Sequence, residues 1–327
     1  MIKIGENRKV AILFAGQGAQ KLGMGRSLYE SSEAAKKIFD IAGSELKSLM
    51  FEGGGDLNQT DITQPAVYTV DMAAWAAFKE KVQELNLEQI SGIIGMAGFS
   101  LGEYAAMSAS GIISTFKIGL DLVRKRSKFM AEAGRYADGS SRGAMAAVIG
   151  EREEILQIMN SCKGDFVLEA VNYNSPSQTV IAGDEEGIKI FRTNAKVSDK
   201  KIRVIPLPVS SAFHTSIMEP ASKKIYEVAS KIEFSTSRCE LCLNQTGSFF
   251  SKEDESIPLI MSKQVMNPVY WQESLETLKK AGAEIFIEFG PGKALSGFVK
   301  QTILDAETYN IEDEESLNNT VQALLQR

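Results

Sequence analysis

Short apolar runs alternate along this chain with longer stretches whose apolar positions recur every three to four residues. Val10 to Ala15 is an unbroken apolar run, and Lys9 to Phe14 reads as a first strand. Gly92 to Ala97 reads as a second buried strand and Glu284 to Phe289 as a late one. Helical periodicity predicts helices over Ser31 to Ala42, from Asp61-Ile62-Thr63-Gln64-Pro65 to about Leu85, and over Ser114 to Arg135. The last of these divides cleanly. Lys117, Asp121, Arg124 and Lys128 share one side, and Leu122, Val123, Arg126, Phe129, Met130 and Ala133 share the other. Arg126 is the anomaly in that apolar stripe. A guanidinium there needs a carboxylate or equivalent partner, through an internal ion pair, a snorkelling side chain or a ligand.

A linker by composition, Tyr136 through Gly143, introduces a finer grain. A strand (Ala144 to Ile149), a helix (Arg152 to Cys162), strands at Val167 to Asn172 and Gln178 to Ala182, a helix (Glu185 to Asn194) and a strand (Lys201 to Pro206) follow. That β-α-β-β-α-β order is the ferredoxin-like pattern, here read as a subdomain at 137–207 inserted into a larger core of 1–136 and 208–327. The core resumes near Leu207 to His214, with a helix at Glu219 to Lys231, a strand around Cys239 to Leu243, a polar hairpin at Gly247, a helix ending at Ala281 and an acid-started tail helix at Glu312 to Arg327.

The most informative stretch is Gly98-Phe99-Ser100-Leu101-Gly102, between the Gly92 strand and a helical pattern from Glu103 to Ser110. G-x-S-x-G at a strand–turn–helix junction is the nucleophile elbow. Its glycines allow a tight, strained turn that exposes the serine at a helix N-terminus, where free N–H groups can hold an oxyanion. Composition narrows the partners. The 327 residues are 44% hydrophobic and 24% charged, the balance of an ordinary globular protein. No stretch is apolar for long enough to span a bilayer, and Met1 to Lys9 is too polar for a signal peptide, so the expected location is cytoplasmic. A net charge of −6 gives no support to nucleic-acid binding. Cys239-x-x-Cys242, in a strand, points its sulfurs to opposite faces, so the three cysteines read as core thiols. The single histidine, His214, excludes a multi-histidine metal site and is the one imidazole available to Ser100. Ala15-Gly16-Gln17-Gly18-Ala19-Gln20 lacks the spacing of a phosphate loop and reads as an amide-donor turn.

With Arg126-Ser127-Lys128-Phe129-Met130, Phe213-His214-Thr215-Ser216-Ile217-Met218, Gln264 through Trp271 and Gly290-Pro291-Gly292-Lys293 added in order, nearly the whole chain resembles the malonyl-CoA:acyl carrier protein transacylases. The resemblance implies an α/β protein: an α/β-hydrolase-like core with a parallel sheet, plus the ferredoxin-like insert. It implies that Ser100 is the acyl-accepting nucleophile and that His214 is its general base, titrating near 6.5 as a free imidazole does. The backbone N–H groups of Gln17 and Leu101 would form the oxyanion hole. Arg126 would grip the malonyl carboxylate, and the Gln264 carbonyl would orient the histidine. The expected reaction is ping-pong transfer of malonyl from coenzyme A to the phosphopantetheine thiol of acyl carrier protein for fatty-acid synthesis. No cofactor and no metal are implied, since malonyl-CoA is a substrate. Phe213 is expected to crowd a 2-methyl branch. Arg203, beside Lys200 and Lys201, is a candidate contact for coenzyme A phosphates or the acidic carrier.

The chain departs from the usual family pattern at Phe99, where histidine is more common, and at Ala15, Ser127 and Ala131. Three rival readings remain at this stage: an acyltransferase loading a polyketide synthase carrier, a serine esterase or thioesterase, and a non-catalytic docking module. A hydrolase predicts an Asp or Glu orienting His214 and has no need of Arg126.

Overall fold

The computed structural model describes residues 9–85, 92–209, 211–251 and 255–325. The signal-peptide reading of Met1 to Lys9 therefore falls almost wholly outside the described residues, as do Ser210 and the end of the tail. Among the described residues no helix is long and apolar enough to cross a membrane.

Two four-stranded sheets organise the chain. The first is parallel throughout, with order β2-β1-β7-β8: β1 is Val10–Phe14, β2 Ile93–Gly98, β7 Ile285–Phe289 and β8 Glu307–Ile311. β1 and β7 are buried along their whole length, which is why they read as continuous apolar runs rather than alternating ones. Alternate residues still part to opposite faces. Val10, Ile12 and Phe14 join Ile285, Ile287 and Phe289 against the helix Thr60–Glu84, where Trp75 and Phe78 meet Phe289. Ala11, Leu13 and Phe286 join Trp271, Leu275, Leu278 and Val299 on the other face. In register, Phe14 lies beside Gly98 and Phe289, so the carboxyl ends of three strands finish level. The Gly16 turn, the serine elbow and the Gly290 turn therefore gather at one edge, where open α/β sheets bind ligands.

The second sheet is antiparallel, with order β4-β5-β3-β6: β3 is Ala144–Ile149, β4 Leu168–Ser175, β5 Gln178–Gly183 and β6 Arg203–Pro206. Helices Arg152–Ser161 and Glu185–Val197 complete the ferredoxin-like order. Ala146, Val148 and Ile181 face those helices, whereas Met145, Ala147 and Val180 face the core and the cleft. The edge strand β4 is stitched to the core by Val269 N to Val171 O (2.8 Å) and Tyr173 N to Val269 O (2.9 Å).

Three expectations change. The strand at Cys239 to Leu243 is reduced to isolated bridges: Leu241 pairs with Met96 for one residue before Cys242 turns away to pair with Phe249. Cys242 is buried beneath Trp271 and Leu278, whereas half-buried Cys239 packs with the larger cluster. β8 was not expected, because all but one of its residues are half-exposed and Glu-Thr-Tyr-Asn-Ile carries no clear alternation. The helices Ser44–Phe51, Ile257–Gln264 and Ala294–Thr302 are likewise additions, each too short for periodicity to stand out.

Candidate active site

The elbow is built by close approach. A Cβ on Gly98 would lie 1.9 Å from the Gly102 carbonyl, and one on Gly102 would lie 2.2 Å from the Phe14 carbonyl oxygen. Only glycine allows the strand, the turn and the helix Gly102–Ala109 to pass one another here. Ser100 between them has φ 51°, a left-handed conformation that costs a non-glycine residue about 1–2 kcal/mol. Asn244 holds it there. Its Oδ1 accepts from the Ser100 amide at 2.7 Å while its Nδ2 donates to Gly98 O at 2.7 Å, bridging the turn. The Ser100 amide is thus occupied and cannot serve an oxyanion.

His214 adopts a second strained conformation, φ 62°, and brings Nε2 to 2.7 Å from Ser100 Oγ. Its Nδ1 lies 2.9 Å from Gln264 O and 3.1 Å from Asn267 O. Carbonyls only accept, so Nδ1 carries the proton and Nε2 is left to accept from the serine hydroxyl. Sequence reasoning placed Gln264 here and missed Asn267. The expectation that His214 titrates near 6.5 is corrected: burial, and then the charge of Arg126, lower it to about 4, against the pull of the two carbonyls.

Arg126, on the helix Phe116–Ala133, is 1% exposed. Its hydrogen-bond partners are two side-chain amides and a hydroxyl, the equivalent of the carboxylate that its place in an apolar stripe could have called for. Nη1 donates to Gln64 Oε1 at 2.6 Å, and Nη2 donates to Gln264 Oε1 at 3.0 Å and to Ser100 Oγ at 3.1 Å. The guanidinium also sits over the Tyr104 ring at 5.3 Å. Gln64 and Asn244 were not expected. A polar side chain one residue before Pro65, inside a helix with few exposed positions, is the signal that marks Gln64. Asn244 has none beyond following an apolar run.

These groups open onto a cavity of about 310 Å³ between the two sheets, with Gln17, Phe99, Met130, Val180, Phe213 and Phe298 among its walls. Phe99, in place of the more usual histidine, packs edge-on against Trp271 (5.4 Å) and beside Phe298 (6.2 Å). Leu101 is buried, and its side chain is not on the cavity wall. Among the described residues neither its amide nor that of Gln17 donates to another backbone or side-chain group. Half-buried Ala131 is away from the wall. Arg203 is exposed on the edge strand β6, also away from the cavity, and neighbouring Lys200 is paired with Glu154 at 3.2 Å. Among the described residues no cluster of side chains could hold a metal ion.

Residues 12–320 match the family described as the acyl transferase domain. The chain is 37% identical over 326 residues to the malonyl CoA-acyl carrier protein transacylase of Bacillus subtilis (strain 168), covering 97% of each. The solved malonyl CoA-acyl carrier protein transacylase from Clostridium perfringens matches with a TM-score of 0.87 at 35% identity, over 97% of this chain and 98% of that one. A type II PKS acyl-carrier protein in complex with its malonyl-transacylase is matched with a TM-score of 0.86 at 32% identity, over 96% and 99%. With a serine elbow, an imidazole and a buried guanidinium meeting at one cleft of this fold, the chain belongs to the acyl transferase domain family and is an acyltransferase.

Proposed function

We propose that this enzyme moves a malonyl group from coenzyme A to the phosphopantetheine thiol of acyl carrier protein, through an ester on Ser100, in support of fatty-acid synthesis. The observation that carries this reading is the double engagement of one hydroxyl: Ser100 Oγ donates to His214 Nε2 and accepts from Arg126 Nη2. In the first half-reaction Ser100 Oγ attacks the thioester carbonyl while Nε2 takes its proton. The amides of Leu101 and Gln17 receive the oxyanion. The C–S bond then breaks, and the imidazolium returns its proton to the coenzyme A thiolate. The second half runs this in reverse, with the carrier's thiol as nucleophile.

Arg126 supplies the selectivity. Gln64 and Gln264 hold the guanidinium by its two ends, so the malonyl carboxylate takes over the donor that Ser100 gives up on becoming an ester. Phe213, on the cavity wall, crowds a branch at the malonyl carbon. The malonyl group arrives on one thiol and leaves on another, so the proposed chemistry calls for no cofactor, and a cytoplasmic location is proposed with it. Arg203 on β6 is retained as the contact for coenzyme A phosphates or an acidic carrier, and the core and insert are assigned as 1–136 with 208–327, and 137–207.

A thioesterase would set a carboxylate at His214 Nδ1, where two carbonyls stand instead. That leaves the imidazolium less stabilised and the site poorer at activating water. A second reading within the same chemistry, loading of a polyketide synthase carrier, is favoured by the likeness to the type II PKS complex. Mass spectrometry after incubation with malonyl-CoA tests the proposal. A malonyl adduct on the Ser100 peptide that passes to a carrier protein supports it, and rapid release of free malonate defeats it. Comparing fatty-acid with polyketide carriers separates the two pathways.

A further inference from the structure

Behind Ser100, the first turn of the elbow helix carries a carboxylate that this mechanism leaves unused. Glu103 is 1% exposed. Its Oε2 accepts from Gln264 Nε2 at 2.9 Å and from the Asn244 amide at 3.3 Å, while Oε1 has no hydrogen-bond partner among the described residues. Each of those two partners ties down a different part of the site. Gln264 Nε2 also donates to Ser100 O at 2.7 Å, its Oε1 accepts from Arg126, and its carbonyl accepts from His214. Asn244 bridges the elbow. One carboxylate therefore anchors both residues that connect the serine turn, the guanidinium and the imidazole.

The titratable groups facing Glu103 are Arg126 from the helix Phe116–Ala133, Tyr104 from its own helix and Cys242 from the bridge segment. Arg126 is the one cation among them. Burial pushes the Glu103 carboxyl up to about 7, against the hydrogen bonds from Gln264 and Asn244 and the charge of Arg126. Burial also pushes Tyr104 up to about 12 and Cys242 well above its ordinary value, so neither titrates near neutrality.

We propose that Glu103 is a positioning residue for acyl transfer, whose ionised carboxylate fixes the Gln264 amide and offsets the charge of Arg126. It supplies at one remove the negative charge that His214 lacks at Nδ1. The inference rests on the transfer reading above. With Glu103 neutral, the field of Arg126 acts alone on His214, which it already depresses, and attracts the malonyl carboxylate more strongly. Removing the charge while keeping the shape therefore lowers KM and the acylation rate together, a pattern that mere loss of folded protein does not produce.

The test is single-turnover acylation of Ser100 by malonyl-CoA, followed by mass spectrometry from about pH 5 to about pH 9, for wild type and Glu103→Gln. Wild type is expected to gain rate through a limb near pH 7. Glu103→Gln is expected to lose that limb, acylate about tenfold more slowly and show a KM lowered several-fold. Wild-type rate, KM and limb in Glu103→Gln would overturn the role. Should that variant fail to fold, Glu103→Asp, which keeps the charge but draws it back from Gln264 by one methylene, is read in its place, and a wild-type rate and KM there would overturn the role. An adduct without the limb removes only the part played by Glu103, whereas no adduct on wild type at any pH removes the transfer reading and this inference with it.

Discussion

His214 at the residue scale is defined by where one proton sits. With Nδ1 committed to two carbonyls and the ring's pKa lowered to about 4, the imidazole is a free base throughout the neutral range. The unfolded chain takes up this proton near 6.5, and the folded protein does so only near 4. The group's contribution to stability is therefore complete above about 6.5 and lost as pH falls through about 4. Wild type is expected to lose stability relative to His214→Gln between about pH 7 and about pH 5, read as urea midpoints of the two proteins. Arg126 makes a different claim. Its replacement by alanine is expected to slow malonyl loading by about 10²-fold or more, while acetyl loading falls less or rises, measured as adduct formed from each thioester. Equal loss of both would remove its assigned role. At Phe213, alanine is expected to relax the preference for malonyl over methylmalonyl by about tenfold in competition for the same serine, the worth of one methyl in an apolar wall.

Strand β2, the turn and the helix Gly102–Ala109 act as one element, and its strain is held by tight backbone packing. Gly98→Ala and Gly102→Ala each drive a Cβ into backbone carbonyls, of Gly102 in the first case and of Phe14, on the central strand, in the second. Neither neighbour is a flexible side chain that can move aside. Each substitution is expected to destabilise the protein by about 2–4 kcal/mol in chemical denaturation, and a variant with wild-type stability would contradict this account of the elbow. The helix Phe116–Ala133 shows the complementary case. Its apolar stripe packs onto the core, and the same packing carries Arg126 to the cavity.

Across the whole molecule, the cleft exists because the parallel sheet ends level on one side and the antiparallel sheet presents Met145, Ala147 and Val180 opposite. Beneath that edge lies an unrelated liability. Asp71, in the middle of the helix Thr60–Glu84, is fully buried against the Gly290 turn, and neither of its oxygens has a hydrogen-bond partner among the described residues. Burial, and then the charge of Glu288, hold its pKa well above the ordinary 3.8. The folded protein thus keeps a proton that the unfolded chain releases, and the stability this lends at low pH is lost as pH rises from about 4. Asp71→Asn is expected to be the more stable protein at about pH 8, by on the order of 1–3 kcal/mol, with the gain vanishing near pH 4 when thermal midpoints are compared.

Composition singled out His214 as the one histidine, and local patterning determined the elbow around Ser100, the strands whose runs are wholly apolar, the long amphipathic helices and the odd place of Arg126 on one of them. Each of those patterns is written in adjacent residues or in a period of two or 3.6. Tertiary structure alone decided the support around them. Asn244 reaches Ser100 across 144 positions and Gln264 across 164, and the atoms His214 meets at Nδ1 are backbone carbonyls, which every residue possesses and no spacing announces. The same holds for charge. Burial lowers the pKa of His214, with the field of Arg126 adding to the effect, and raises that of Glu103 against that same field, and both influences belong to the folded cavity and not to the residues.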